Sequence, residues 1–166
     1  MKPPPTVING IVHSRMTVRD EWLDYNGHMN VAYYLVAFEQ GIEDLKCAYG
    51  LDAHYRTTAL RSTVALENHL TYQNEAMRGD ELRIESRIFG TDGKRMHFCQ
   101  AMYRAETLLA TQEVLSLSFD LAARRSTPFA PELLANIKQM IAIADATPRP
   151  PWIGRSINLN SRKPTA

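Results

Sequence analysis

Within seven residues the chain carries Asp24, Tyr25, Asn26, Gly27, His28, Met29 and Asn30. Aspartate, asparagine and histidine are side chains that transfer a proton, hold one, or orient a neighbour. Gly27 interrupts them and lets the backbone turn sharply with no Cβ in the way of a bound molecule. An apolar pattern at helical spacing follows at once, with Val31, Tyr34, Leu35, Phe38, Ile42 and Leu45 three and four apart. Upstream, residues 11–19 read as a strand. The polar cluster therefore falls in a strand-to-helix turn, in front of N–H groups that have no partner inside the helix. The helix dipole favours negative charge there, so the place suits an oxyanion. Capping by Asp24 or Asn30 is the plain structural alternative. A helix needs one cap, however, and this turn carries more polar chemistry than capping requires.

The elements that must hold this turn follow in order. Residues 1–9 are Pro-rich and read as a loose lead-in. Val12, Met16 and Val18 alternate with polar residues in a half-buried strand. The helix runs from about Asn30 to Tyr49 and stops at Gly50, with a further short turn over Leu51 to Arg56. A strand spans about Thr58 to Gln73, with Val64, Leu66, Leu70 and Tyr72 on one face and Glu67 and His69 on the other. Leu82, Ile84 and Ile88 mark a third strand, and Asp92-Gly93 signals a hairpin. Arg95 to Arg104 and Leu108 to Asp120 supply two more, the latter with Leu109, Leu115, Leu117 and Phe119 on one face. Pro131 opens a last helix, Glu132 to Asp145. The expected fold is α+β: an antiparallel sheet of about five strands around one long central helix, spanning residues 10–145. The tail, 146–166, is Pro-rich and basic, an arm expected to be ordered only if a partner subunit receives it. A sheet edge of this kind needs covering.

Composition bounds the function. The 166 residues suit one domain with a real core. The 45% hydrophobic and 22% charged content fits a soluble globular protein. A net charge of +1 argues against a dedicated nucleic-acid binder. No apolar run approaches a membrane span, and the start has no signal-peptide core. Cys47 and Cys99 show no metal or disulfide spacing and read as packed, reduced thiols of a cytoplasmic protein.

A strand followed by Asp24-x-x-Gly27, opening an aromatic-rich helix with Tyr34 and Phe38-Glu39, resembles the hotdog-fold acyl-CoA thioesterases of the 4-hydroxybenzoyl-CoA thioesterase type. The spacing of Asp24, Asn26 and His28 is similar to that of plant acyl-carrier-protein thioesterases. Residues 20–30, Gly50-Leu51-Asp52-Ala53, Leu66-Glu67-Asn68-His69-Leu70 and Gly93-Lys94-Arg95-Met96-His97 resemble one subgroup, the betainyl-CoA thioesterases of carnitine breakdown. The resemblance covers roughly residues 10–140. It implies a hotdog fold, a homodimer or dimer of dimers, hydrolysis of a small acyl-CoA, and no cofactor beyond the coenzyme A of the substrate. It also implies that Asp24 is the catalytic carboxylate, as nucleophile or general base.

Thioester hydrolysis needs donors facing the carbonyl oxygen and a carboxylate that attacks or deprotonates water. Asp24 fits the second role, and the N–H groups from Gly27 to Asn30 fit the first. Asn26 and His28 are candidates to assist Asp24, against the simpler reading of a histidine satisfied by backbone. Asn30 suits a cap better than catalysis, and Glu39 lies roughly 13 Å along the helix at 1.5 Å per residue, too far to assist. Trp22, Tyr25 and Tyr33, with Met29 nearby, are candidates to line the acyl site. Aromatics of this kind form a cage for a trimethylammonium group. Glu67 and His69 could line a cleft, Glu67 meeting a cationic acyl group. Lys94-Arg95, Arg61 and Arg124-Arg125 could meet CoA phosphates. A hotdog hydratase is the nearest rival, but its motif Asp-x-Asn-Pro-x-His has proline where Gly27 stands and histidine one position later than His28. A non-catalytic acyl-CoA-binding dimer and an acyl-carrier-protein thioesterase are the others.

Overall fold

Asn30 has extended backbone, and its side-chain oxygen accepts the Ala32 N–H to start helix α1, Val31–Tyr49. Gly50 ends it at φ 102°, in the left-handed region. The structure, a computed structural model, describes residues 5–159. Among the described residues seven strands form one antiparallel sheet: β1 (Thr6–Ile8), β2 (Ile11–Thr17), β3 (Arg61–Tyr72), β4 (Glu81–Thr91), β5 (Arg95–Arg104), β6 (Thr107–Asp120) and β7 (Arg125–Ser126). Their order is β1-β2-β4-β5-β6-β3, with β7 against the end of β6. Helix α2 (Ala53–Ala59) is capped by Asp52, whose side chain accepts the Tyr55 N–H, and α3 (Pro131–Ala144) packs into the same core as α1. The sheet wraps α1, which is the hotdog arrangement. Among the described residues no helix is long and apolar enough to cross a membrane.

The buried stripe of α1 is Tyr34, Ala37, Phe38, Gly41, Ile42, Leu45 and Tyr49. It is rotated from the stripe that apolar spacing suggests, since Val31 and Leu35 are 60% and 39% exposed. Small residues cause the difference. A Cβ at Gly41 would stand 2.6 Å from Gln100 Nε2 and 3.0 Å from Ile84 Cγ2, so the helix crosses the sheet closely at that point. Below it, Ser86, Gln100 and Gln112 face one another in register across β4, β5 and β6. Gln100 Nε2 donates to Ser86 Oγ (2.9 Å) and to the Phe38 carbonyl (3.2 Å). This polar row stands between two apolar clusters, one around Leu45, Tyr49 and Phe98 and the other around Tyr34, Phe38 and Met102.

Four expectations need correction. The lead-in is not wholly loose: Thr6–Ile8 pairs with β2 across Asn9-Gly10, whose φ values of 50° and 73° make the tight hairpin that Asn-Gly favours. In β3 the alternation breaks at Leu66, where a bulge lies between Ala65 and Glu67. Val64 therefore does not share a face with Leu70 and Tyr72, although Glu67 and His69 do share one. In β6, Val114, Ser116 and Ser118 are the buried residues, while Leu115, Leu117 and Phe119 lie on the outer face, away from α1. Leu109 departs from them because it occupies a second bulge, opposite Met102 and Tyr103. Finally, the arm needs no partner to be placed. Arg87 Nη1 donates to the Pro148 carbonyl (2.9 Å) and the Gly154 N–H donates to Glu113 Oε2 (2.8 Å), holding residues 147–157 against the outer face of the chain's own sheet. Residues 160–166 of the expected arm and 1–4 of the lead-in lie outside the described residues.

The two cysteines also differ. Cys99 is buried on β5, and burial pushes its thiol up to about 12, whereas Cys47 on α1 is exposed rather than packed. An aromatic disulfide reagent should therefore titrate one thiol in the native protein near pH 8 and both after denaturation. Two rapidly reacting thiols in the native state would contradict the placement of Cys99.

Candidate active site

The Asp24 turn is a small hairpin. Leu23 bridges Met29, the Asp24 N–H donates to the His28 carbonyl (3.0 Å), and the Gly27 N–H donates to the Asp24 carbonyl (3.0 Å). Gly27 has φ 83°, the left-handed residue that closes a three-residue hairpin loop with a bulge. The hairpin is anchored on both sides. Met29 N–H donates to the Ala76 carbonyl (2.8 Å), Asn30 N–H to the Trp22 carbonyl (2.9 Å), and His28 bridges Met77. Met29 and Trp22 are both core residues.

This frame presents the Asp24 carboxylate in a defined position. Its Oδ1 accepts the Asn26 N–H at 2.8 Å, and its Oδ2 lies 3.6 Å from His28 Nδ1. His28 Nε2 in turn lies 3.8 Å from Glu75 Oε1, giving a line of acid, imidazole and acid. Asp24 and His28 are half-buried and open to a substrate, while Glu75 is mainly in solvent. A carboxylate held by one backbone donor, with an imidazole 3.6 Å from its other oxygen, is oriented yet keeps lone pairs for an incoming water or acyl carbon.

The structure distributes the other candidates differently. Asn26 contributes its N–H to Asp24, while its side chain faces solvent. The N–H groups of Gly27, Met29 and Asn30 are committed to backbone acceptors, and Ala32 N–H is taken by the Asn30 cap. The donors left for an oxyanion are those of His28 and Val31. The aromatic set does not converge. Trp22 is buried and stacked on the half-buried Tyr33 (centroids 5.9 Å), with Arg19 at 5.4 Å from its ring, whereas Tyr25 is 97% exposed. Tyr34 is core; its hydroxyl accepts the Ala76 N–H (2.9 Å). Glu67 and His69 lie on the outer face of β3, opposite the face that covers α1, beside His97 and Glu113. Arg61 and Arg95 are paired with Asp120 and Asp92, and Arg124 stacks on Phe119. Sequence reasoning missed Glu75 and Tyr72. Tyr72 on β3 donates its hydroxyl to the Val31 carbonyl (3.3 Å), which sets the start of α1 beside the edge strand. Neither has a motif of its own, and both reach the site through tertiary pairing.

A sheet wrapped around a central helix, with an oriented carboxylate at the helix entrance, defines a hotdog-fold thioester hydrolase. Residues 18–137 match the model of the thioesterase-like superfamily. The chain is 35% identical over 144 residues to the betainyl-CoA thioesterase of Pseudomonas aeruginosa, covering 86% of this chain and 91% of that protein. It is also 35% identical over 126 residues to the L-carnitine dehydrogenase/betainyl-CoA thioesterase of Ruegeria pomeroyi, of which it spans 25%. A Staphylococcus aureus protein solved in complex with CoA superposes with a TM-score of 0.85 at 26% identity, over 93% of this chain and 98% of that one. A candidate thioesterase of Pseudomonas putida KT2440 does so with a TM-score of 0.78 at 32% identity, over 89% and 96%. The chain belongs to the thioesterase-like superfamily, and it is an acyl-CoA thioesterase.

Proposed function

We propose that the protein hydrolyses betainyl-CoA to betaine and CoA, with Asp24 as the working carboxylate and His28 as its positioning partner. The observation that carries the reading is the Asp24 carboxylate, held by the Asn26 N–H with His28 3.6 Å away, in a chain so similar to a betainyl-CoA thioesterase along most of its length. Developing charge on the thioester oxygen meets the free His28 and Val31 N–H groups and the positive end of α1. The thiolate leaves as CoA, and the acid is released after water supplies its oxygen. A panel of acyl-CoAs followed by release of free thiol tests the substrate. Betainyl-CoA should exceed the 3,3-dimethylbutyryl thioester, its uncharged isostere, by about 10-fold or more in kcat/KM, since attraction of the cation by the carboxylates on either side of His28, Asp24 and Glu75, is lost with the charge. Equal turnover of the two would remove the cationic acyl group from the reading and leave the hydrolase.

The working unit in this proposal is a dimer joined along β3. That strand ends the sheet and exposes Val64, Leu66 and Tyr72, while the opposite edge, β1, is only three residues long. Antiparallel pairing of two β3 strands covers the apolar edge and brings Val31 and Leu35 of α1 near the partner. The cytoplasm is the compartment proposed for it. Sedimentation should give at least twice the 18.8 kDa chain mass, and Leu66→Asp should shift it toward the monomer. A wild-type monomer at micromolar concentration would exclude the dimer.

A further inference from the structure

Arg87, on the outer face of β4, is 94% buried by the fold, yet no carboxylate lies within 4.0 Å of it among the described residues. Among the described residues its guanidinium makes one hydrogen bond, from Nη1 to the Pro148 carbonyl, and its Nε is buried with no acceptor. The carboxylates on this face are used elsewhere: Glu85 by Arg83 and His13, and Glu113 by His97 and the Gly154 N–H. Glu106 stands in solvent. Phe89 stacks under the Arg87 guanidinium at 4.8 Å, and Arg149 of the arm approaches the same ring at 4.9 Å, which adds a second positive charge. A buried cation without a counter-charge is costly to keep unless something neutralises it.

Arg87 forms part of the wall of a cavity of about 340 Å³ between this face and the arm. Ile11, Ala101 and Leu108 from the sheet and Pro150 and Trp152 from the arm give the wall its apolar part, while Glu85 and Glu106 also line it, the first already paired with Arg83 and the second turned to solvent. A volume of this size whose wall carries one buried, unpaired charge suits a small organic ligand. The guanidinium fork matches a carboxylate through two parallel hydrogen bonds. We propose that the cavity between the arm and the outer face of the sheet binds a small carboxylate with an apolar body, its charge meeting Arg87 and its body packing against Ala101, Leu108 and Trp152. The site is on the opposite face of the sheet from α1 and does not depend on the reading of the Asp24 hairpin.

Titration calorimetry of the full chain at constant ionic strength tests this, with benzoate as the probe, benzyl alcohol as its neutral counterpart and adenosine bisphosphate as the probe for a nucleotide phosphate. Benzoate should bind saturably, and benzyl alcohol about 10-fold or more weaker. Arg87→Gln should weaken benzoate by roughly 10- to 100-fold, the range for losing a charge-assisted pair, and Arg87→Lys should weaken it less. Ala101→Phe fills the cavity while leaving Arg87 and its bond to Pro148 in place, and should abolish binding. If Arg87→Gln fails to fold, Ala101→Phe decides the matter. The site is overturned by absent benzoate binding, by equal binding to wild type and Arg87→Gln, by binding that survives Ala101→Phe, or by Arg87-dependent binding of the nucleotide alone.

Discussion

Asp24→Asn is expected to lower kcat for thioester hydrolysis by roughly 10²- to 10⁴-fold, the range for loss of a general base, with KM changed little. The geometry makes the substitution informative. Asn keeps the shape and a side-chain oxygen that accepts the Asn26 N–H, now 2.8 Å from Oδ1, so the hairpin survives. The hairpin is also held by four backbone bonds that do not involve the side chain: Asp24 to His28, Gly27 to Asp24, Met29 to Ala76 and Asn30 to Trp22. Lost stability is thus a poor explanation for lost rate. His28→Ala should cost less, because it removes an imidazole 3.6 Å from Oδ2 and leaves carboxylate and helix-end donors in place. Rapid-quench measurements on the wild type separate two routes: a burst of CoA ahead of free acid marks attack by the carboxylate, whereas simultaneous release marks activation of water. Comparable turnover by wild type and Asp24→Asn, both folded, would end the role assigned to Asp24. Equal loss of binding and rate would make it a structural residue.

The turn at Asp24 was legible in the sequence because its features are local. Gly27 three residues after Asp24, the Asn30 cap and the Gly50 stop all act within a few residues of themselves, and each stands in the structure as its type dictates. Long-range features were less legible. A one-residue bulge at Leu66 reverses which side chains share a face, and period-two reading cannot place an inserted residue. The three polar residues Ser86, Gln100 and Gln112 interrupt the apolar pattern of their strands along the sequence. They form one row only because register brings them opposite one another beneath Gly41. The aromatics from Trp22 to Tyr34 cluster in sequence, but helix geometry sends Tyr34 to the core and the hairpin leaves Tyr25 in solvent. Proximity along the chain suggested a cage that one subunit does not assemble. Asn9-Gly10, by contrast, was a readable hairpin signal in the N-terminal lead-in.

The rotated stripe of α1 has a direct consequence for stability. Phe38→Ala should cost about 3–5 kcal/mol, the usual range for deleting a buried aromatic ring. Phe38 is fully buried, and its cluster includes Tyr34, Ile84, Met102 and Leu109, contributed by the helix and three strands. Close approach at Gly41, with Gln100 bonded to the Phe38 carbonyl, leaves the helix little room to settle into the void. The cavity term should therefore be retained rather than relaxed away. At about 2–4 °C per kcal/mol for a chain of this size, the midpoint should fall by about 6–20 °C. Leu35→Ala is the matched control three residues earlier on the same helix, since apolar spacing alone would place both in the core. With Leu35 39% exposed, its truncation should cost well under half as much in a subunit kept monomeric by Leu66→Asp. Measured in the wild-type background, a larger Leu35→Ala cost that grows with protein concentration would locate that side chain in the β3-edge interface. Equal and small shifts for Phe38→Ala and Leu35→Ala in the monomeric background would mean that the sheet does not enclose α1 along the Tyr34–Phe38–Gly41 stripe.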